Sequence, residues 1–364
     1  MILWIFISAA AIQLFYWAII FGRLAFYREK KGRDNTVQIP VSVIICARNE
    51  AENLSKNLPY ILQQQYKEFE VIVADDASSD RTAEIVSALQ LSHPNLAYIK
   101  LENKNSFGKR AILSIAVNSA KYDWLLLTDA DCQPIGENWI DSMTQKTSNP
   151  SIEIVLGYGP YLSEKGFLNS WIRFETILTA TQYFSASIWG IPYMGVGRNL
   201  LIKKSLWLKN LSALEKNADL ISGDDDLMVN AAANKKNTAI CLDEESFTYS
   251  EPKQTLKALI TQKSRHYSAG SRYKNIHKLW LTAFSFSAIL FWISFFCLLC
   301  YYPIPLIMVF LARMLLFLSV NIKILHTFRE KIPVHKLLIF DFILAFYYIF
   351  FTSTLIIKNR NKWS

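Results

Sequence analysis

The stretch Asp123-Trp-Leu-Leu-Leu-Thr-Asp129-Ala-Asp131 decides how the chain is read. Its short apolar run, Trp124 to Leu127, reads as a fully buried strand. The run ends in two carboxylates one residue apart. In an open α/β sheet, ligands bind outside the carboxyl ends of the strands, which is where Asp129 and Asp131 stand. Two hard oxygen ligands at this spacing suit Mg²⁺ or Mn²⁺, with coordination positions left for water and phosphate oxygens. An isolated Asp-X-Asp is more often an ordinary turn after a strand, so its neighbours have to carry the argument.

Upstream, Val41-Ser-Val-Ile-Ile-Cys46 is a strand by its β-branched content, broken by Ala47-Arg-Asn49-Glu50. A helix follows over Glu52 to Gln65. Val71-Ile-Val-Ala is a second strand, running into Asp75-Asp76-Ala-Ser-Ser-Asp80. Thr82 to Leu91 is a helix, with Ser79, Asp80 or Thr82 as its cap. Leu96 to Leu101 is a weaker strand. Asn105-Ser-Phe-Gly108-Lys109-Arg110 opens the helix Ala111 to Ala120. This alternation predicts a parallel sheet with right-handed crossovers. Downstream the alternation fades. Ile152 to Gly157 is a strand, and Trp171 to Trp189 is an aromatic helix belonging to the membrane surface or to a core. Tyr193-Met-Gly195-Val-Gly197-Arg198-Asn199 is a loop where backbone can approach a ligand closely. Ser222-Gly223-Asp224-Asp225-Asp226 caps a helix over Asp226 to Ala233. Gln254 to Ser271 reads as an amphipathic helix.

Of the 364 residues 52% are hydrophobic, and they are unevenly placed. Ile2 to Phe21 is long enough to span a bilayer. No Lys or Arg precedes it, which argues for an anchor over a cleaved signal. Arg23, Arg28, Lys30, Lys31 and Arg33 follow, so the positive-inside rule puts residue 23 onward in the cytoplasm. Three more apolar stretches are Leu279 to Tyr301, Ile304 to Val320 and Leu337 to Ile357. The last would leave Lys358, Arg360 and Lys362 outside, against the rule, and it contains Asp341, a residue that needs a partner in lipid. A span is preferred there to a re-entrant segment. The net charge of +9 flanks the apolar runs and forms no groove, so membrane and not nucleic acid is the expected partner. The five cysteines form neither a disulfide framework nor a zinc pattern. The expected division is an anchor over 1–24, a cytoplasmic domain over 38–272 and transmembrane helices over 279–357.

Carboxylates thus recur at strand ends and in the loops beyond: Glu50, Asp75 and Asp76, Asp129 and Asp131, Asp224 and Asp225. Together with Lys109 and Arg265 they form a set of parts for moving a sugar from a nucleotide sugar to a hydroxyl. The chain resembles the membrane-attached family 2 glycosyltransferases of GT-A fold, related to cellulose, hyaluronan and ceramide glucosyl synthases. The matching residues run in the family's order: Val41 to Glu50, the Asp75-Asp76-Ala-Ser motif, Gly108-Lys109, Asp129-Ala-Asp131, Gly223-Asp224-Asp225 and Gln262-Lys-Ser-Arg265-His266.

The resemblance implies an α/β Rossmann-like nucleotide-sugar domain between one N-terminal and about three C-terminal transmembrane helices. It implies Asp225 as catalytic base, and Ala47, Asn49, Glu50, Asp75, Asp76, Lys109, Asp129 and Arg265 at the nucleotide sugar. Asn199, Asp224, Gln262 and His266 would meet acceptor or diphosphate, and Asp129 and Asp131 would hold Mg²⁺ or Mn²⁺. The donor would be a UDP-sugar, or a GDP-sugar, and the acceptor a lipid or lipid-linked hydroxyl at the cytoplasmic membrane, an inner membrane where the cell has two. Asp224 replaces the family's more usual Glu. His266 stands where processive members have Trp and offers a sugar ring a poorer platform. Both this and the small number of spans favour a single transfer over a processive, exporting polysaccharide synthase. An inactive scaffold keeping the fold is the remaining alternative.

Overall fold

The computed structural model describes residues 1–29, 38–101, 109–217 and 223–356. Lys30, Lys31, Arg33, the segment from Asn105 to Gly108, Ser222 and the tail residues Lys358, Arg360 and Lys362 lie outside the described residues. The chain divides into two compact units with interleaved segments. One comprises Glu29–Leu162 and Pro192–Pro252, and the other Met1–Arg28, Ser163–Ile191 and the chain from Lys253. Residues 163–191 and 253–272 therefore group with the apolar helices, unlike the three consecutive segments read from the sequence.

Among the described residues the first unit has nine strands: β1 Val41–Ala47, β2 Phe69–Asp75, β3 Leu96–Lys100, β4 Trp124–Asp129, β5 Cys132–Pro134, β6 Ile154–Leu156, β7 Leu200–Lys203, β8 Thr238–Ile240 and β9 Thr248–Ser250. Seven form one sheet in the order β3-β2-β1-β4-β7-β6-β8, and β5 pairs with β9. Every residue of β1 is buried. Burial on both faces explains why its sequence is a continuous apolar run with no alternation. Side chains Val43, Ile45, Val71, Val73 and Leu126 share a core with Leu54, Leu58 and Ile61 of the helix Ala51–Leu62. Each such buried aliphatic side chain contributes about 1.5–3 kcal/mol.

The strands whose alternation with helices predicts parallel pairing do pair so, and the sheet becomes mixed only beyond them. β1 to β4 run parallel, but β7 is antiparallel to both β4 and β6. The direction of β7 matters. Leu127 lies opposite Leu200, so the chain entering β7 comes from the edge where β4 leaves. The loop 192–199 is thereby delivered beside Asp129. The strand order reverses between β1 and β4, the switch point at which open α/β sheets leave a crevice. Cys46 is in register with Asp129 across it.

The second unit is helical. Among the described residues four helices are long and apolar enough to cross a membrane: Ile2–Ala25, Asn275–Leu298, Pro303–Thr327 and Val334–Phe351. The chain is a membrane protein by that measure. Asp341 has its partner: Arg313 donates to its two carboxylate oxygens at 2.5 and 2.9 Å and to Gln13 Oε1 at 2.8 Å. Gln13 in turn donates to Phe284 O at 3.0 Å and Ser287 Oγ at 2.9 Å. One polar knot thus ties these four spans together, and its four side chains, Gln13, Ser287, Arg313 and Asp341, are buried. The helix Phe167–Ile188 is buried nearly all round, so it is a core helix of this unit. Its charges are paired, Arg173 with Glu330 and Glu175 with Lys263.

Candidate functional site

The crevice between β1 and β4 is lined by loops that hold one another in place. After β1, Asn49 takes a left-handed conformation with φ 55°, and after β2 Ala77 does so with φ 52°. Such backbone is uncommon for a residue with a Cβ and persists where surrounding bonds impose it. Those bonds are present. Asn49 N–H donates to Ser78 Oγ at 2.8 Å, and Asn49 Oδ1 accepts from Ser79 N–H at 2.9 Å. Glu50 N–H donates to Thr82 Oγ1 at 3.0 Å and Ala51 N–H to Asp80 Oδ2 at 3.1 Å. Asp80 also accepts from the N–H and hydroxyl of Thr82, at 3.0 and 2.6 Å. The N-cap position of the helix Thr82–Gln90 is Arg81, and Asp80 just before it satisfies the first helical N–H and tethers the neighbouring loop.

Asp75 is fully buried. Its Oδ1 accepts from Ser78 N–H and Oγ at 2.8 and 2.5 Å, and its Oδ2 from Tyr98 Oη at 2.6 Å. Burial and Asp75 together push the Tyr98 phenol above its usual range. Asp76 donates its N–H to Ala47 O at 2.9 Å, and its carboxylate takes Arg48 at 3.3 Å. Burial raises the Asp76 carboxyl while Arg48 opposes the shift. Glu50 accepts from Asn53 at 2.5 Å.

Asp129 and Asp131 sit with Cys132, one donor atom of each lying within 4.8 Å of the others. Burial raises the Cys132 thiol well above its ordinary value, and Asp131 adds to the rise. The thiol also shares a 3.0 Å hydrogen bond with Ser250 Oγ. Buried and bonded to Ser250, the thiol is the soft member of the group, and the hard oxygens come from the two carboxylates. A pair of hard oxygens fits a cation of the Mg²⁺ or Mn²⁺ type better than a soft metal. Lys109 Nζ donates to Asp129 Oδ1 at 2.5 Å. Burial works against its charge, but Asp129 and then Cys46 and Asp225 outweigh that and hold the ammonium above its usual range.

Asp225 lies in the first turn of the helix Asp224–Ala232, behind Gly223 at φ 95°. Its Oδ2 accepts the N–H of Gly197. Burial raises its carboxyl, Lys109 lowers it, and the charges of Asp129 and Asp224 raise it again. These four groups therefore share one electrostatic neighbourhood. Asp224 is spoken for differently: Arg110 Nε donates to it at 2.5 Å while Arg110 Nη1 holds Leu214 O at 2.9 Å. Asp224 thus fixes the start of the helix, which leaves Asp225 as the carboxylate aimed at the loop.

A Cβ on Gly197 would lie 2.5 Å from Asp225 Oδ2 and 2.9 Å from its Cγ. An Asp side chain is too short to yield without losing its aim. With Asp225 as the base that the resemblance implies, Gly197→Ala is expected to lower turnover about 10²-fold, the order for a misplaced reacting group, with the melting temperature little changed. Steady-state rates beside a thermal melt would check this, and wild-type turnover would refute it.

Asn199 needs a correction. It was expected at the acceptor or diphosphate, but its side chain is buried and fully engaged. Oδ1 accepts from Trp139 Nε1 at 3.1 Å, and Nδ2 donates to Tyr158 O at 2.8 Å and Ser246 O at 2.7 Å. It braces the glycine loop from behind. Arg198 beside it was not singled out: its guanidinium stacks on Tyr161 at 4.5 Å, and against the cost of burial Tyr161, and after it the Asp131 carboxylate, favour its charge. A basic residue inside a glycine loop was the available signal. Gln262, Arg265 and His266 lie on the helix Leu256–Gly270 of the second unit, whose buried side chains are Leu259, Lys263 and Ala269.

Residues 42–207 match the model of glycosyl transferase family 2. The chain carries a family 2 glycosyltransferase domain. Glycosyltransferase GlyG of Streptococcus pneumoniae is 27% identical over 117 residues, which are 32% of this chain and 38% of that protein. The 4,4'-diaponeurosporenoate glycosyltransferase of Staphylococcus haemolyticus is 32% identical over 151 residues, 40% of this chain and 39% of that one. The chain thus matches only about two fifths of the length of these relatives. Among solved structures, the mannosyltransferase PcManGT from Pyrobaculum calidifontis, in complex with GDP-Man and Mn2+, superposes with a TM-score of 0.60 at 17% identity. It covers 96% of this chain and 99% of that one. At that identity the likeness establishes a GT-A fold with attached helices, and no more.

Proposed function

We propose that the protein is an inverting glycosyltransferase that moves a hexose from a nucleoside diphosphate sugar to a hydroxyl of a lipid or membrane-associated acceptor. The observation that carries this reading is the convergence of Asp129, Asp131, Lys109 and Asp225 at the open edge of β4 and β7. In this reading Asp225 takes the acceptor's hydroxyl proton. The acceptor oxygen then forms its bond to the anomeric carbon as the bond from that carbon to the diphosphate oxygen breaks, with inversion. The loops around Ala47, Asn49, Glu50, Asp75 and Asp76 would seat the nucleoside. Lys109 and Arg265 would bear on the diphosphate, with Gln262 and His266 at diphosphate or acceptor. Asp129 and Asp131 would hold Mg²⁺ or Mn²⁺, which when bound offsets the charge of the leaving diphosphate.

A UDP-sugar is the preferred donor, with a GDP-sugar as alternative. The residues after the first span are basic, which supports a cytoplasmic catalytic face at the cytoplasmic membrane. A second reading, processive synthesis of a polysaccharide, is supported by similarity to the poly-beta-1,6-N-acetyl-D-glucosamine synthase of Staphylococcus aureus, 27% identical over 125 residues. His266 in place of Trp favours single transfer. The test is nucleotide release by detergent-solubilised protein offered a panel of nucleotide sugars, Mn²⁺ or Mg²⁺, and lipid extract. Release that requires lipid and stops at one sugar per acceptor is expected. Product that lengthens with time would favour the polymerase. No nucleotide binding and no turnover with any donor would sink both and leave an inactive scaffold.

A further inference from the structure

We propose that Lys109 couples cation binding to diphosphate binding by exchanging partners: it occupies Asp129 while the site is empty and gives Asp129 up when a diphosphate arrives. The inference rests on the metal and nucleotide reading above and adds a binding order to it.

The geometry is specific. Lys109 is the first residue of the helix Lys109–Ser119, and its Nζ sits 2.5 Å from Asp129 Oδ1. Asp129 is also one of the two carboxylates whose oxygens converge near Cys132. A divalent cation held between Asp129 and Asp131 would therefore have the ammonium as its immediate neighbour, sharing a carboxylate with it. Two like charges on one carboxylate oppose each other, and each is weakened by the other. The lysine is also placed to leave. Its side chain is 33% exposed and that of Asp129 is 34% exposed, so neither is sealed in. Lysine presents a point charge on a flexible four-carbon stem and keeps its donors through a change of partner.

The surrounding charges make the exchange directional. Arg110 is committed to Asp224 and to Leu214 O. Arg198 is stacked on Tyr161 and packed across Gly159. Lys109 is the cation hydrogen-bonded to Asp129, while Arg198 bears on Asp131. A diphosphate offers that ammonium a cluster of anionic oxygens, which frees Asp129 for the cation. The cation favours the same change, since it displaces the lysine from Asp129. Two ligands that favour the same rearrangement bind with positive coupling, and the coupling is reciprocal. Cation alone should bind poorly. The chain thus guards against holding a divalent cation without the donor it serves.

The probe is Mn²⁺ alone, titrated into the full-length protein in detergent and followed by the electron spin resonance signal of free Mn²⁺. Lys109→Met removes the competing charge with nearly the same volume and is expected to tighten Mn²⁺ binding about tenfold, the usual size of such couplings. Lys109→Arg keeps a cation and is expected to bind Mn²⁺ as weakly as the wild type. Lys109→Gln provides a second neutral variant, expected to behave like Lys109→Met. Mn²⁺ affinity unchanged or weakened in the neutral variants would overturn the exchange and leave the metal site standing. Saturable Mn²⁺ binding absent from every variant, with UDP present or not, would overturn the metal reading and the exchange together.

Discussion

Asp225→Asn is expected to cut sugar transfer by about 10³-fold, within the range that a positioned general base contributes, while the protein melts no lower than the wild type. The two halves of this expectation have one cause. Burial makes the Asp225 carboxylate costly to ionise, and its raised pKa records that cost. An amide of the same shape can still accept the Gly197 N–H, carries no charge to desolvate, and cannot take a proton. Function is lost where the fold gains. The pH dependence carries the same signature. The base acts only when deprotonated, so the rate should rise with pH through a value above that of an ordinary aspartate, and this limb should vanish in the variant. Single-turnover release across pH, beside a thermal melt, measures both. A variant with wild-type turnover would remove Asp225 from the chemistry.

Arg313→Met is expected to destabilise the helical unit by about 3–5 kcal/mol, the cost of breaking a buried pair on one side. Asp341 would be left with 1% of its surface exposed and no counter-charge, and Gln13 Oε1 would lose its donor. The double variant Arg313→Met with Asp341→Leu removes both charges and should recover most of the loss, because replacing a whole buried pair with apolar side chains is often neutral. Unfolding of the three proteins in one detergent decides it. If the double variant is as unstable as the single, the knot holds the spans by more than charge pairing.

The left half of the sheet was plain in the sequence because β1, β2 and β4 are contiguous apolar runs separated by helices. β6 and β8 have three residues each, too few to show a period, and β7 looks the same in sequence whichever way it runs. The antiparallel course of β7 was not legible for that reason. At the site, the resemblance named Asp129, Asp131, Lys109 and Asp225, and the structure pairs Lys109 with Asp129 and sets Asp225 against the Gly197 N–H. Asn199 could not be placed from sequence: a polar residue after a glycine loop looks like a ligand contact until Trp139, Tyr158 and Ser246 are seen to use its amide. Those partners lie 41 to 60 residues away in the chain. The need of Asp341 for a partner was legible, but the identity of Arg313 was not, since it sits within a run that otherwise reads as lipid-facing.

The polar knot also sets a schedule for biogenesis. Gln13 is made first, yet its partners Phe284, Ser287 and Arg313 follow 271, 274 and 300 residues later. Arg313 in turn waits 28 residues for Asp341. During synthesis the first span therefore waits in the bilayer with an unsatisfied amide while the sheet unit is translated behind it. β1 to β4, drawn from a single contiguous stretch, can pair long before the helical unit closes. A ribosome halted before Asp341 would hold a chain whose sheet is far advanced and whose helices have no lock, and that nascent form is the one most exposed to membrane quality control.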